Sequence, residues 1–141
     1  MEDLSLHVMD IAENSLRAGA QNIEIKLIED NNRLVLEIKD DGRGIDEGLL
    51  KNAVNPFYTT KEGKKFGLGL SLLSQAADEA GGSMRIVKRK PKGTLIIASF
   101  NQDNVDIKPI GNINRTMRVL KASHPEVKFS FKHIIKNGES K

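Results

Sequence analysis

The sequence predicts an α+β fold, a two-layer α/β sandwich in which helices cover one face of a mixed β-sheet. Apolar residues recur at helical spacing in some segments and alternate with polar residues in others, as they do in half-buried strands. The strands follow one another in pairs separated by short turns, which favours hairpins over helical crossovers. A chain of 141 residues is long enough to bury one core without disulfides.

The chain opens with a predicted helix from Leu4 to Ala18, which ends at Gly19. Two strands follow, "NIEIKL" and "RLVLEIK", and the turn residues "EDNN" between them predict a hairpin. The second strand leads into the glycine-rich turn "DDGRGI". After this turn, "DEGLLKNAV" predicts a short helix.

A further helix is predicted from Leu70 to about Ala80, where two glycines end it. The strands "SMRIVKRK" and "TLIIASF" then form a second hairpin around "PKG". Beyond Phe100 the composition shifts to Asn, Asp and Lys, which indicates a boundary. We therefore divide the chain into a domain of residues 1–100 and a C-terminal helix–strand appendage of residues 101–141.

The appendage has an apolar face that must be buried. Its strand, "VKFSFKH", alternates Phe129 and Phe131 with polar residues. This face packs either on the chain's own sheet or helix, or in a dimer or partner contact. The helix before it is predicted by apolar residues at three- and four-residue steps: Ile110, Ile113, Met117 and Leu120.

Composition excludes several classes of function. The chain has no cysteine, which rules out a disulfide framework, thiolate catalysis and Cys-ligated zinc. The amino terminus is acidic where a signal peptide is basic, and no apolar run approaches the ~18 residues of a membrane span. The net charge is +3, and the basic run "KRKPK" predicts a solvated hairpin rather than a nucleic-acid site. We expect a cytoplasmic protein without a membrane span.

Three stretches carry residues suited to a nucleotide. On the first helix, His7, Asp10, Asn14 and Arg17 are predicted to form a polar stripe opposite the leucines. In "DDGRGI", a carboxylate at the end of a core strand can accept hydrogen bonds from an exocyclic amine such as that of adenine. In "FGLGLSLL", glycines precede a helix, whose amino terminus presents free amide groups and the positive end of the dipole to phosphates.

In this order, the stretches resemble the boxes of the GHKL or Bergerat-fold ATP-binding domain, which gyrase, histidine kinases and MutL proteins share. "DIAENSLRAGA" is similar to the asparagine box, "DDGRGI" to the first glycine box, "NPFYTTK" to the phenylalanine box and "FGLGLSLL" to the second glycine box. "GT", after the basic run, is similar to the closing strand motif. The short lid between Phe57 and Gly67 is most similar to that of histidine-kinase catalytic domains.

The resemblance implies that the ligands are ATP and Mg²⁺. Asn14 occupies the position of the asparagine that ligates Mg²⁺, and Asp40 that of the aspartate that reads adenine. Asp10 stands one turn before Asn14, where it could act as a general base. The remaining residues that the resemblance assigns to nucleotide binding are Arg17, Gly42, Gly44, Lys61, Lys65, Gly67, Leu68, Gly69, Leu70 and Thr94.

Three functions are compatible with these motifs. The first is a histidine-kinase-type domain that transfers the γ-phosphoryl group to a separate partner protein. The second is an anti-sigma-like serine kinase, favoured by the carboxylate of Asp10. The third is an ATP-driven conformational switch like MutL or gyrase, favoured by "ENSLRAGA".

The acceptor is expected on another protein. Histidine kinases carry the acceptor histidine on a helical hairpin before the asparagine box, and this sequence begins almost at that box. Its own histidines offer no substitute: His7 is fixed on the first helix, His124 precedes Pro125 in a predicted turn, and His133 ends the predicted C-terminal strand. We therefore expect ATP binding without phosphorylation of the chain's own histidines.

Overall fold

The computed structural model describes residues 4–43, 68–101 and 110–136, and the following elements lie within these ranges. Predicted boundaries differ from the observed ones by a few residues; the short helix predicted in "DEGLLKNAV" lies outside the described residues. The elements in chain order are α1 (Leu4–Arg17), β1 (Asn22–Asp30), β2 (Arg33–Asp40), α2 (Leu68–Glu79), β3 (Ser83–Lys88), β4 (Thr94–Asn101), α3 (Ile110–Ser123) and β5 (Lys128–Lys136).

The five strands form one mixed sheet in the order β3-β4-β2-β1-β5. The two predicted hairpins are present, since β1 pairs antiparallel with β2 and β3 pairs antiparallel with β4. β2 and β4 are antiparallel neighbours, and β5 lies parallel to β1. The predicted α+β class is confirmed.

One face of the sheet is apolar and forms the core with the helices. Ile25, Ile38 and Ile96 lie side by side on β1, β2 and β4, and all three are buried. Complete burial of such a side chain contributes about 1.5–3 kcal/mol, so each residue of this row adds to the driving force for folding. The helices contribute these buried side chains to the same cluster: Leu4, Val8 and Ile11 from α1, Leu73 and Ala77 from α2, and Ile113, Met117 and Leu120 from α3.

The opposite face of the sheet carries charged and half-buried residues. Lys39 Nζ lies 3.2 Å from Glu24 Oε1, across the β1–β2 pair. Alternation along β1 and β2 therefore separates a helix-covered face from an open face.

The C-terminal appendage packs on the chain's own sheet, which was the first of its two expected positions. Phe129 lies opposite Ile23 and Phe131 opposite Ile25 in the parallel β1–β5 pair. Phe129 is buried, so the apolar face of β5 extends the core. The boundary at residue 100 stays a prediction.

Among the described residues, no helix has the length and apolar character needed to cross a membrane.

Candidate functional site

The buried carboxylate of Asp40 lies where β2 ends beside α1. Asp40 is only 5% exposed. The hydroxyl of Ser15, on α1, donates to its Oδ2 at 2.6 Å, and the main-chain N–H of Gly42 donates to its Oδ1 at 2.9 Å. A buried carboxylate is costly without such donors. Since each carboxylate oxygen can accept more than one hydrogen bond, Asp40 retains acceptor capacity for a ligand amine.

The turn after Asp40 packs directly on the end of α1. A Cβ on Gly42 would lie 2.9 Å from the main-chain oxygen and 3.0 Å from the Cβ of Ala18. The N–H of Arg43 donates to the same Ala18 oxygen at 2.9 Å. Glycine is required at position 42 because the two backbones approach so closely, and this approach fixes Asp40 relative to α1.

The neighbouring carboxylate, Asp41, anchors the start of β1. Its Oδ1 accepts from the main-chain N–H groups of Gln21 at 2.8 Å and Asn22 at 3.0 Å, and its Oδ2 accepts from Asn22 Nδ2 at 2.7 Å. The side-chain hydrogen bond of Asn22, followed by the main-chain bonds, lowers the pKa of Asp41 from its ordinary 3.8 to about 2. The two adjacent carboxylates therefore differ in role: Asp41 binds the backbone at the start of β1, whereas Asp40 is buried.

Thr94 lies next to Asp40 on the other side of β2. The two residues face each other in the β2–β4 pair, and Thr94 is 4% exposed. Gly93, just before it, has a φ of +117°, and a Cβ there would collide with the main-chain oxygen of Asp40. The "GT" pair thus brings a buried hydroxyl beside the carboxylate predicted to read adenine.

The polar side of α1 carries the other predicted nucleotide-binding residues of this helix. Asn14 is half-buried, and Arg17 and Asp10 are exposed. Arg17 Nη1 donates to Asn14 Oδ1 at 3.0 Å. Asn14 immediately precedes Ser15, so α1 presents an amide oxygen beside the residue that contacts Asp40.

His7 departs from the prediction that it belongs to this polar stripe. It is 2% exposed. Because it lies three residues after Leu4 and four before Ile11, its helical position borders the apolar side of α1, and packing buries it.

Mg²⁺ fits the chemistry of the Asn14 side chain. Asn14 offers an oxygen, the atom that this hard cation prefers. Among residues 4–43, 68–101 and 110–136 no group of three or more His, Asp or Glu side chains could hold a metal. Mg²⁺ in nucleotide sites is held by one or two protein oxygens with phosphates and waters, so a protein cage is not required here.

The other predicted phosphate-binding residues are only partly described. α2 begins at Leu68, so Leu68, Gly69 and Leu70 occupy its first turn, where main-chain N–H groups have no intrahelical acceptor. The remaining predicted residues lie outside the described residues: Gly44, Lys61, Lys65 and Gly67.

Sequence reasoning missed Ser15, Asp41 and Arg89. Ser15 had a signal, because it stands four residues after Ile11 and is a polar residue at a core position of α1. Arg89 lies in the predicted solvated hairpin, yet its Nη1 donates to the main-chain oxygen of Asp40 at 2.6 Å. That contact joins residues 49 positions apart, which no local pattern predicts.

Comparisons with known proteins identify the family of the chain. The family described as "Histidine kinase-, DNA gyrase B-, and HSP90-like ATPase" matches residues 2–104. The sensor histidine kinase YxdK of Bacillus subtilis (strain 168) is 29% identical over 69% of this chain and 32% of its own length. The sensor histidine kinase CitA of Klebsiella pneumoniae is 35% identical over 63% of this chain and 17% of its own length. The chain thus spans a third or less of these relatives.

Solved structures share the fold. The Aquifex aeolicus MutL ATPase domain complexed with ADP superposes with a TM-score of 0.62 at 18% identity, covering 94% of this chain and 60% of that one. The catalytic domain of histidine kinase ThkA gives a TM-score of 0.52 at 24% identity, covering 69% and 68%. The predicted Bergerat fold is confirmed, and the family match over most of the chain places it in the histidine kinase-, DNA gyrase B- and HSP90-like ATPase family.

Proposed function

We propose that this domain binds Mg-ATP in the cytoplasm and transfers the γ-phosphoryl group to a histidine on a separate partner protein. The observation that carries the nucleotide part is the buried Asp40 carboxylate, held by two donors and flanked by Thr94. A carboxylate accepts from the amine of adenine and repels the carbonyl that guanine has at the same ring position. Asp40 is therefore expected to select ATP over GTP.

The phosphates would lie toward α1 and the first turn of α2. Asn14 would hold Mg²⁺, which supplies charge neutralisation at the phosphates when bound. Arg17 would turn from Asn14 Oδ1 to a phosphate oxygen, since the phosphate carries the larger negative charge. Leu68, Gly69 and Leu70 would donate main-chain N–H groups. Asp10, exposed one turn before Asn14, would accept the N–H proton that the acceptor imidazole loses as its other nitrogen attacks the γ-phosphorus.

An acceptor on another protein is supported by the way two of the chain's own histidines, His7 and His133, are held in place. His7 is buried on α1. The ring of His133, on β5, lies 2.6 Å from Glu29 of β1 through its Nε2. Transfer requires an acceptor nitrogen in line with the γ-phosphate, and side chains fixed in this way cannot approach it.

The nucleotide proposal is tested by calorimetry. We expect Mg-ATP to bind at least tenfold more tightly than Mg-GTP, and binding to weaken when Mg²⁺ is chelated; a difference of this size needs only about 1.4 kcal/mol. Equal affinities for the two nucleotides would contradict adenine reading by Asp40.

The transfer proposal needs a second experiment. The purified chain is incubated with γ-labelled ATP alone and with proteins that co-purify with it. We expect acid-labile label on a partner only. Stoichiometric acid-labile label on this chain, lost in a histidine variant, would contradict transfer to a partner, whereas acid-stable label on a partner would favour a serine kinase.

An ATP-driven conformational switch is the second candidate. The observation that favours it is the extent of the fold match to the MutL ATPase domain, which covers 94% of this chain and so extends into the appendage. This candidate predicts that a non-hydrolysable ATP analogue changes the hydrodynamic radius or oligomeric state in light scattering. No change would exclude the switch under those conditions and leave the kinase proposal intact.

A further inference from the structure

One arginine of the basic run "KRKPK" is not a solvated surface charge. Lys88, Lys90 and Lys92 are exposed, whereas Arg89 is half-buried. Its Nη1 donates to the main-chain oxygen of Asp40 at 2.6 Å. A hydrogen bond from a charged donor is roughly twice as strong as a neutral one, so the arginine has a defined partner in the residue proposed to read adenine.

The Asp40 peptide is also contacted by the β3–β4 hairpin. The N–H of Arg89 donates to the oxygen of Gly93 at 3.0 Å, which closes the hairpin. Gly93 in turn packs so closely on the main-chain oxygen of Asp40 that a Cβ would collide with it. Arg89 and Gly93 therefore contact one oxygen together, and the position of the Asp40 peptide depends on both.

Arg89 reaches Asp40 from the open face of the sheet. It lines a cavity of about 400 Å³ together with Glu24, Lys39 and Ser130, which belong to that face. The carboxylate of Asp40 is contacted on the other face, by Ser15 of α1. A nucleotide bound at the carboxylate is thus separated from the guanidinium by the strand, and Arg89 can act on it only through the backbone of Asp40.

We propose that Arg89 is a positioning residue for adenine recognition, a role that rests on the proposed function of Asp40. By holding the main-chain oxygen, it fixes the direction in which the Asp40 side chain leaves β2. A hydrogen bond weakens steeply as its angle falls. A small rotation of this peptide therefore weakens the bond to the adenine amine without touching the phosphate contacts.

The test compares two nucleotides that differ only in that amine. Arg89→Met, Arg89→Lys and the matched control Arg85→Met, an exposed arginine on β3, four residues before Arg89, are titrated with Mg-ATP and with the Mg complex of purine riboside triphosphate, which lacks the C6 amine. For Arg89→Met we expect a loss of about tenfold in ATP affinity, the size of one charged hydrogen bond. Affinity for the purine analogue stays within about twofold. Arg89→Lys recovers part of the loss, and Arg85→Met changes neither affinity.

Other outcomes overturn the inference. Equal losses for both nucleotides in Arg89→Met, or unchanged ATP affinity, would show that Arg89 does not act through adenine recognition. If Arg89→Met unfolds, the decision passes to Arg89→Lys: an ATP loss selective for the amine supports the inference and an unselective one refutes it. If the wild-type chain itself does not distinguish ATP from the analogue, the proposed role of Asp40 is wrong and the role of Arg89 falls with it. Discrimination in the wild type that persists fully in both Arg89 variants refutes only the present inference.

Discussion

At the end of β2 the carboxylate of Asp40 is buried and already paired, whereas on the outer side of α1 the half-buried Asn14 pairs with the exposed Arg17. Asp40 has two donors inside the fold before any ligand arrives. Asn14 is bound instead by Arg17, an exposed side chain three residues away. The first region is organised by folding, and the second has contacts that a ligand can replace at low cost. Base recognition should therefore be rigid, and phosphate recognition adaptable.

The largest effect is expected from Asp40→Asn, which removes the charge without changing the size of the side chain. We expect ATP affinity to fall by about 100-fold, because the amide replaces an acceptor with a donor that repels the adenine amine. Circular dichroism should show an unchanged fold. Asp30→Asn, at the opposite end of β1, is the control. If Asp40→Asn retained its ATP affinity, base recognition would not depend on the buried carboxylate.

Gly93→Ala is expected to destabilise the fold by about 2–4 kcal/mol, since a left-handed φ and a collision act together. Gly19 provides the matched control because it also has a positive φ, +80°, but a Cβ there meets nothing within 4 Å. Gly19→Ala should therefore cost only about 1 kcal/mol, from the φ alone. Urea unfolding measures both. Equal losses would show that contact with Asp40 is not what requires glycine at position 93.

Asn14→Asp tests the adaptable region. The new carboxylate pairs with Arg17, so the free energy of unfolding should change by less than about 0.5 kcal/mol, as for an exposed helix pair. Mg-ATP affinity should fall by about tenfold, because the added negative charge faces the triphosphate and retains Arg17. Calorimetry at several Mg²⁺ concentrations measures this. If the dependence on Mg²⁺ were the same as in the wild type, Asn14 would only face solvent.

Ser15→Ala measures how much the internal pairing of Asp40 contributes. Loss of one donor to a buried carboxylate should destabilise the fold by about 1–3 kcal/mol. ATP affinity should fall by less than in Asp40→Asn, since the Gly42 N–H still orients the carboxylate. Ser123→Ala, at the exposed end of α3, is the control for replacement of serine. An increase in ATP affinity would mean that Ser15 competes with adenine for Asp40 instead of orienting it.

The sequence predicted those parts of the fold that depend on local pattern. Alternation identified β1, β2 and β5, the turn "PKG" identified the hairpin of β3 and β4, and the motifs led to Asp40 and Asn14 because their residue types and order are specific. Contacts between distant segments were not predictable in this way. The Ser15–Asp40 bond spans 25 positions and the Arg89–Asp40 bond 49. Arg89 was predicted to be solvent-exposed because runs of charged residues usually are exposed. Only the packing of β4 against β2 brings it to Asp40. His7 was misplaced because a residue at the border of two helix faces is decided by packing.

The smallest effect is expected from pH and concerns Asp41. Its pKa is lowered in the folded state to about 2 from 3.8, so the folded state favours the ionised form. This stabilisation is fully present above the unfolded pKa and disappears as pH falls through the folded pKa, between about pH 4 and pH 2. The side chain is partly exposed and solvent screens the interaction, so we expect less than about 1 kcal/mol. Urea unfolding of the wild type and Asp41→Asn from pH 6 to pH 2 measures it: the difference between the two chains should shrink as the pH falls. A difference that stays constant over this range would mean that the hydrogen bonds to Gln21 and Asn22 do not require the charge of Asp41.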